Sequence, residues 1–282
     1  MSVGSTGSDG RPGPGTGDRR AAGTTGRQVT DDEGRAIRLP ERVRRVVSLV
    51  PSLTETVAAT APDLLVGATD WCTHPADLDV VRVRGTKNPD LDRIVGLSPE
   101  LVLANEEENR PADLAALRSA GVAVYVTCIR SLDAAFGSLE RLLAGCGLPP
   151  PGWLAEARTA WAGVRPLAPR QRAVVPIWRR PWMAVGRDTF TGSLLDRLGV
   201  DNVLAGAPER YPRIDLDALP DHDLVILPDE PYPFAPDDGP EEFPRVPAAL
   251  VPGRLLTWYG PSLTEAAARL PALLDAAGAR RR

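Results

Sequence analysis

Few residues in this sequence have the types and spacing for chemistry. Cys72 and His74 stand two apart in Trp71-Cys72-Thr73-His74-Pro75, and thiolate with imidazole suits zinc or copper. Two ligands do not close a site. The chain has 3 cysteines and 2 histidines, and no second pair matches the first, so no metal site is expected. Lys87, Glu107 and His74 could supply acid–base groups if they converge. No GxSxG, no HExxH and no nucleophile–base pair can be read. A non-catalytic protein that requires no cofactor is therefore expected. The run Asn105-Glu106-Glu107-Glu108-Asn109-Arg110 has two readings: a solvated charge run, or polar contacts for a ligand.

The aromatic residues point more clearly to binding. Trp71, Trp178, Trp182, Tyr211, Tyr232, Phe234, Trp258 and Tyr259 all fall where predicted strands end, with His74 beside them. They are 8 of the 14 aromatics in the sequence (6 Trp, 4 Tyr, 4 Phe). Cores normally absorb aromatics, so this placement suits a flat, largely apolar ligand. Lys87, Arg110, Arg179 and Glu107 would be its few polar anchors. A corrin, a porphyrin or another aromatic metal chelate fits. Lys87 is the one lysine among 33 basic residues. It stands where a point charge could be wanted in place of a planar fork, or by chance.

The elements that must position these residues follow from periodicity. Val46–Val50, Leu65–Ala68 and Leu101–Ala104 are short apolar runs, each ending in polar residues, with helical patterns between them. That order predicts parallel strands in βαβ units, and ligands bind at the carboxyl ends of such strands. Ser52 with Glu55, and Ser262 with Glu265, have the spacing of capping boxes. Val122–Thr127 predicts a further strand and Leu132–Leu143 a helix. Pro149-Pro150-Pro151 breaks the chain. Trp153, Ala157, Trp161 and Val164 then recur at helical spacing, predicting a helix over Gly152–Val164 whose tryptophans pack. Strands are expected at Arg172–Trp178, Leu224–Leu227 and Leu255–Trp258, and a helix at Thr189–Leu198. The predicted organisation is a disordered tail over 1–33, a first lobe over 34–148, a linker helix over 149–171 and a second lobe over 172–282.

Taken in order, the segments VVSLVPSLTETVAATAPDLLVGATDWCTHP, KNPDLDRIVGLSPELVLANEEEN, IWRRPWMAVGRDTF, ERYP, ILPDEPYPF and TWYG resemble one family. It is the class III substrate-binding proteins of ABC importers, in their cobalamin-binding or helical-backbone metal-receptor branch. The resemblance covers roughly Val43 to Leu274 and includes members that lack an export signal. It implies an α/β fold of two Rossmann-like lobes with parallel sheets, joined by a single long helix. It also implies non-catalytic binding of a corrinoid (cobalamin), or a similar tetrapyrrole or metal chelate, in the cleft between lobes. A cytoplasmic enzyme, or an intracellular carrier or sensor that reuses the cleft, is the alternative. The candidate ligand-binding residues are Pro51, Ser52, Trp71, His74, Lys87, Asn88, Asn105, Glu107, Arg110, Trp178, Trp182, Tyr211, Glu230, Tyr232, Trp258 and Tyr259. By the resemblance, the loop at Thr86–Asn88 and Tyr211 face the corrin. Asp92 and Asp217 fall where relatives present Glu to a permease.

Composition bounds the rest. With 282 residues, 43% of them hydrophobic, the chain can build a real core. A net charge of −4 with interspersed signs leaves no nucleic-acid footprint or polybasic membrane patch. Three cysteines without a CxxC predict no disulfide framework. Met1 to about Thr30 is rich in Gly, Thr, Ser, Arg and Pro and has no apolar signal-peptide segment. No run approaches a membrane span. A cytoplasmic monomer is expected, with a small tetrapyrrole or chelate and an ABC permease as partners.

Overall fold

The structure is a computed structural model that describes Met1, Gly4 and residues 26–279. The chain opens with an antiparallel hairpin, β1 (Gly26–Thr30) on β2 (Ala36–Pro40). The expected tail over 1–33 therefore ends too late. Val29 alternates inward and Asp31 is buried, accepting backbone hydrogen bonds from Glu33 and Arg35 that fix the turn. The rest of the expected tail lies outside the described residues, apart from Met1 and Gly4.

The first lobe then runs β3 (Val46–Ser48), α1 (Pro51–Thr60), β4 (Leu65–Ala68), β5 (Val81–Arg82), the small hairpin β6 (Arg84–Gly85) and β7 (Asn88–Pro89), α2 (Leu91–Gly96), β8 (Leu101–Asn105), α3 (Pro111–Ser119), β9 (Val124–Thr127) and α4 (Leu132–Gly145). Its sheet is parallel throughout, in the order β5-β4-β3-β8-β9. Every residue of β3, β8 and β9 is buried, as strands covered on both faces require. Local sequence sets the helix starts. Ser131 accepts from the amide of Ala134 at the start of α4, and Asp90 from Arg93 at α2. At α1 the expected cap is wrong. Val50 is the N-cap, Pro51 takes the first helical position, and Ser52 is inside the helix and buried. Proline at that position loses no hydrogen bond, so the helix starts two residues earlier than expected.

The chain crosses once to the second lobe, through α5 (Gly152–Gly163). At 1.5 Å per residue this helix spans about 18 Å. Trp153 donates to Thr60 at the end of α1, at 3.1 Å. The second lobe contains β10 (Gln171–Val174), a hairpin of β11 (Pro176–Trp178) with β12 (Met183–Ala184), α6 (Phe190–Arg197), β13 (Val200–Asn202), β14 (Leu224–Pro228), β15 (Ala248–Val251), α7 (Gly253–Thr257) and α8 (Ser262–Ala279). Trp161 on α5 donates to the Leu263 carbonyl on α8 at 2.9 Å. The linker is thus tied to both lobes. One apolar core, running from Ile37 through Trp161 to Ala277, is shared by the two lobes.

The second sheet is also parallel, in the order β13-β10-β14-β15. Three local readings are corrected here. Arg172–Trp178 is two strands, because the chain leaves the sheet after Val174 to make the hairpin. Leu255–Trp258 is largely the helix α7, and the last strand lies earlier, at β15. Ser262 is the first residue of α8, buried, with a hydroxyl that has no hydrogen-bond partner, so it does not cap.

Candidate ligand-binding seam

Loops that follow strand ends of one sheet meet loops that follow strand ends of the other, along a seam with two flanks. The first flank is built on Asn105, the last residue of β8. Its side-chain oxygen accepts from the amides of Glu107 (2.9 Å) and Glu108 (3.3 Å), and its amide donates to Thr127. Asn109 closes the loop back to the Asn105 amide and donates to the Thr86 carbonyl. Lys87 donates to the Glu107 carbonyl. Asn105 is therefore buried inside the loop it shapes.

The shaped loop aims two carboxylates at the second lobe. Glu106 accepts from Arg130 (2.9 and 3.0 Å), from Arg210 (3.4 Å) and from the Cys128 thiol (2.9 Å). Arg130 also reaches Asp188 at 3.0 Å. Glu107 pairs with Arg210 and accepts from the Tyr211 hydroxyl at 2.8 Å. The Arg130 hydrogen bonds hold the Glu106 carboxyl down to about 2. Burial, then the Glu106 carboxylate, pushes the Cys128 thiol up to about 11. Burial, then Glu107, pushes the Tyr211 phenol well above its ordinary value.

The second flank has the same residue types but fewer cations. Glu55 on α1 is buried and pairs with Arg254 on α7, which also reaches Glu265 at 3.0 Å. His74 lies edge-on to Trp258, with ring centroids 5.5 Å apart. Glu230, two residues past β14, lies so close to Gly253 that a Cβ there would come 2.2 Å from its Cγ. One oxygen of Glu230 is buried without a partner, and the side chain lines the same groove as Trp258. Burial, then the neighbouring Asp229, pushes the Glu230 carboxyl up to about 7. Burial likewise raises Glu108. A groove of about 350 Å³ opens here between Thr73 and His74 of one lobe and Glu230, Arg254 and Trp258 of the other.

The remaining candidates lie in different places. Tyr259 and Ser52 are buried at the seam itself, where Tyr259 packs edge-on to Phe190. Trp71 (66% exposed) and Trp178 (43% exposed) stand in water beyond strand ends of opposite lobes. Asn88 and the Trp71 indole nitrogen crowd Gly85, and Trp178 meets Tyr232 edge-on at 5.8 Å, whose hydroxyl donates to Asp238. Trp182 instead packs within the second lobe, stacked on Phe234 at 5.8 Å, with the Arg179 guanidinium over its ring at 5.4 Å. Pro51 is the first residue of α1, and Arg110 is exposed as the N-cap of α3. Asp92 and Asp217 are exposed, one on each lobe.

Cys72 and His74 do not converge. Cys72 is buried against the hydroxyls of Thr54 (3.0 Å) and Thr69 (3.1 Å), while His74 is exposed beside Thr73. Among the described residues no group of three His, Cys, Asp or Glu could hold a metal ion. Sequence reasoning missed Glu55, Glu106, Arg130, Asp188, Arg210 and Arg254, which carry the ion pairs of the seam. The one available signal was adjacency: Arg210 sits beside Tyr211, and Glu106 beside Glu107.

Two parallel-sheet lobes on one connecting helix, with strand ends meeting at a seam, define the class III binding-protein fold. The solved structures agree. The periplasmic vitamin B12-binding protein BtuF of Vibrio cholerae superposes with a TM-score of 0.66 at 21% identity, covering 83% of this chain and 98% of its own. The periplasmic heme-binding protein RhuT of Roseiflexus sp. RS-1 gives 0.66 at 20% identity, covering 84% and 99%. Among curated sequences, the vitamin B12-binding protein of Vibrio cholerae is 25% identical over 191 residues, 64% of this chain and 68% of its own length. An ABC transporter substrate-binding lipoprotein, YvrC, of Bacillus subtilis (strain 168) is 30% identical over 118 residues, 40% of this chain and 38% of its own. No protein-family model matches the chain.

These relatives bear out the resemblance read from the motifs: they are substrate-binding proteins, named for binding and not for a reaction. They also correct one expectation. A cytoplasmic location does not stand, because the relatives and neighbours are a lipoprotein and periplasmic proteins, which work outside the cytoplasmic membrane. The expectation rested on an apolar segment missing from Met1–Thr30, and such an absence does not fix a location.

Proposed function

We propose that the chain binds a flat tetrapyrrole or metal chelate, either cobalamin or a haem-like ring, between its lobes and presents it to an ABC permease. The observation that carries this reading is the pair of exposed tryptophans, Trp71 and Trp178, one on each lobe and both beyond strand ends. Exposed indoles are costly in water and suit a ring that stacks. Relatives named for vitamin B12, and neighbours named for vitamin B12 or heme, support the same class of ligand. The groove of about 350 Å³ is at the small end of ligand pockets, which run roughly 300–1,000 Å³. A whole macrocycle therefore enters as the lobes part, releasing Glu107 from Tyr211 and Arg210. The exposed acids Asp92 and Asp217, one per lobe, are the proposed permease contacts. Among the described residues no helix is long and apolar enough to cross a membrane.

Stacking adds roughly 0.5–1.5 kcal/mol per aromatic beyond its buried area. Trp178→Ala and Tyr211→Ala should each weaken binding about tenfold or more. Calorimetric titration with cyanocobalamin and with hemin checks this. Failure of the wild type to bind either would remove the ligand class, and unchanged affinity in both variants would move the site.

A further inference from the structure

The seam's charges do not divide evenly. Each arginine there already has carboxylates: Arg130 has Glu106 and Asp188, Arg210 has Glu106 and Glu107, and Arg254 has Glu55 and Glu265. Lys87 is held on a backbone carbonyl. Among the described residues three carboxylates at the seam have no salt bridge, Glu108 from the first lobe and Asp229 and Glu230 from the second, and of these Asp229 already accepts from the Gly253 amide. Glu108 stands on the loop shaped by Asn105, next to Glu106 and Glu107, which reach Arg210 of the second lobe, and its charge acts on Glu230, Tyr211 and Tyr259.

Glu230 is held in place. The missing side chain at Gly253 leaves room for its Cγ, and Asp229 fixes the Gly253 amide at 2.6 Å. One Glu230 oxygen is buried without a partner, and the side chain lines the groove between the lobes. A buried acceptor with no donor is costly until something donates to it. The free capacity of the seam is thus for donors and positive charge. A ligand edge carrying carboxylates would meet further carboxylates, while Arg130 and Arg254 keep partners within their own lobes, Glu106 and Glu265, when the lobes part.

Resting on the proposed tetrapyrrole or chelate reading, we infer that Glu108 and Glu230 make the seam selective for a neutral or cationic ligand edge that donates hydrogen bonds, and against a carboxylate-bearing one. Amide arms on a macrocycle meet this requirement and propionates do not. Burial that raises both carboxyls fits groups waiting for a donor.

The test holds the ring constant and changes only its edge charge. Cyanocobalamin is compared with its monocarboxylate, made by hydrolysing one peripheral amide, and hemin with the form whose propionates are converted to amides. Affinities are measured for the wild type, Glu230→Gln and Glu108→Gln. On whichever ring binds, the amide form should bind at least tenfold tighter than the carboxylate form. The two isosteric variants should each shrink that ratio several-fold. A carboxylate form that binds as tightly as its amide partner overturns the inference while leaving the ring assignment intact. A ratio unchanged in both variants also overturns it. If neither ring binds in any form, the proposed function falls and this selectivity falls with it.

Discussion

Glu106 and Glu230 each follow a strand end at the same seam, one on each lobe, yet one carboxyl is held down to about 2 and the other is pushed up to about 7. The difference is in the donors. Glu106 is met by two arginines and a thiol, and these offset the cost of withdrawing it from water. Glu230 has an oxygen buried without a donor, with a second carboxylate, Asp229, beside it. Two environments therefore give one residue type two roles. The first flank draws the lobes together by itself. The second retains an unmet acceptor, the state of a surface that waits for a ligand.

The largest effect should come from the position that holds the second flank in shape. In Gly253→Ala the new Cβ would come 2.2 Å from the Glu230 Cγ and 3.0–3.1 Å from its backbone N and O. The side chain can swing but the backbone must move as well. Overpacking of this kind costs about 3 kcal/mol. Urea unfolding measures it, with the groove's binding lost in parallel. A variant as stable as the wild type would mean that Glu230 is not held rigidly, and the contrast between flanks would weaken.

Glu230→Gln should act in the opposite direction. The folded pKa lies above the ordinary 4.5, so the folded state holds the proton more tightly than the unfolded chain. Stability then falls as pH rises from about 4.5 to about 7 and stays low above it. The full rise would be worth about 3 kcal/mol, and partial access of water to the groove brings it to about 2 kcal/mol. The variant should match the wild type near pH 4 and exceed it by that amount at pH 8. Chemical unfolding at the two pH values decides, and a variant less stable at pH 8 would assign Glu230 a partner that the structure lacks.

These two flanks also show what could be read in advance. The parallel strands Leu65–Ala68 and Leu101–Asn105, and the placing of aromatics beyond strand ends, follow from local pattern: continuous apolar runs, then polar residues. Two starts misled because several residues compete for one role. Pro51 displaces Ser52 as the point where α1 begins, and the run Leu255–Trp258 is apolar enough for a strand but folds as α7. The ion pairs were not legible for a different reason. Arg210 with Glu106 spans 104 residues and Arg254 with Glu55 spans 199. No local periodicity encodes which arginine meets which acid, and the sequence is rich in both. Trp182 looked like Trp178 by position, yet it stacks on Phe234 and packs against Phe243 within the second lobe, while Trp178 stays exposed.

The smallest effect belongs to the first flank and gives the sharpest contrast. In Glu106→Gln the charge is lost but an oxygen remains for Arg130. The wild-type carboxyl titrates below its ordinary 4.5, so its contribution is fully present above about 4.5 and is lost as pH falls towards 2. The Glu106 side chain is 20% exposed and its partner Arg130 is 42% exposed, so screening reduces the contribution to about 1 kcal/mol. The variant should therefore be less stable than the wild type by that amount at pH 7, with the gap closing as pH drops from 5 towards 2. Salt should close it too, because at 1 M the screening length is about 3 Å. The Glu230→Gln difference, set by burial and not by an ion pair, should change little with salt. Unfolding of both variants at low and high salt separates the two causes. A Glu106→Gln loss that ignores both pH and salt would mean that shape, not charge, holds this flank closed.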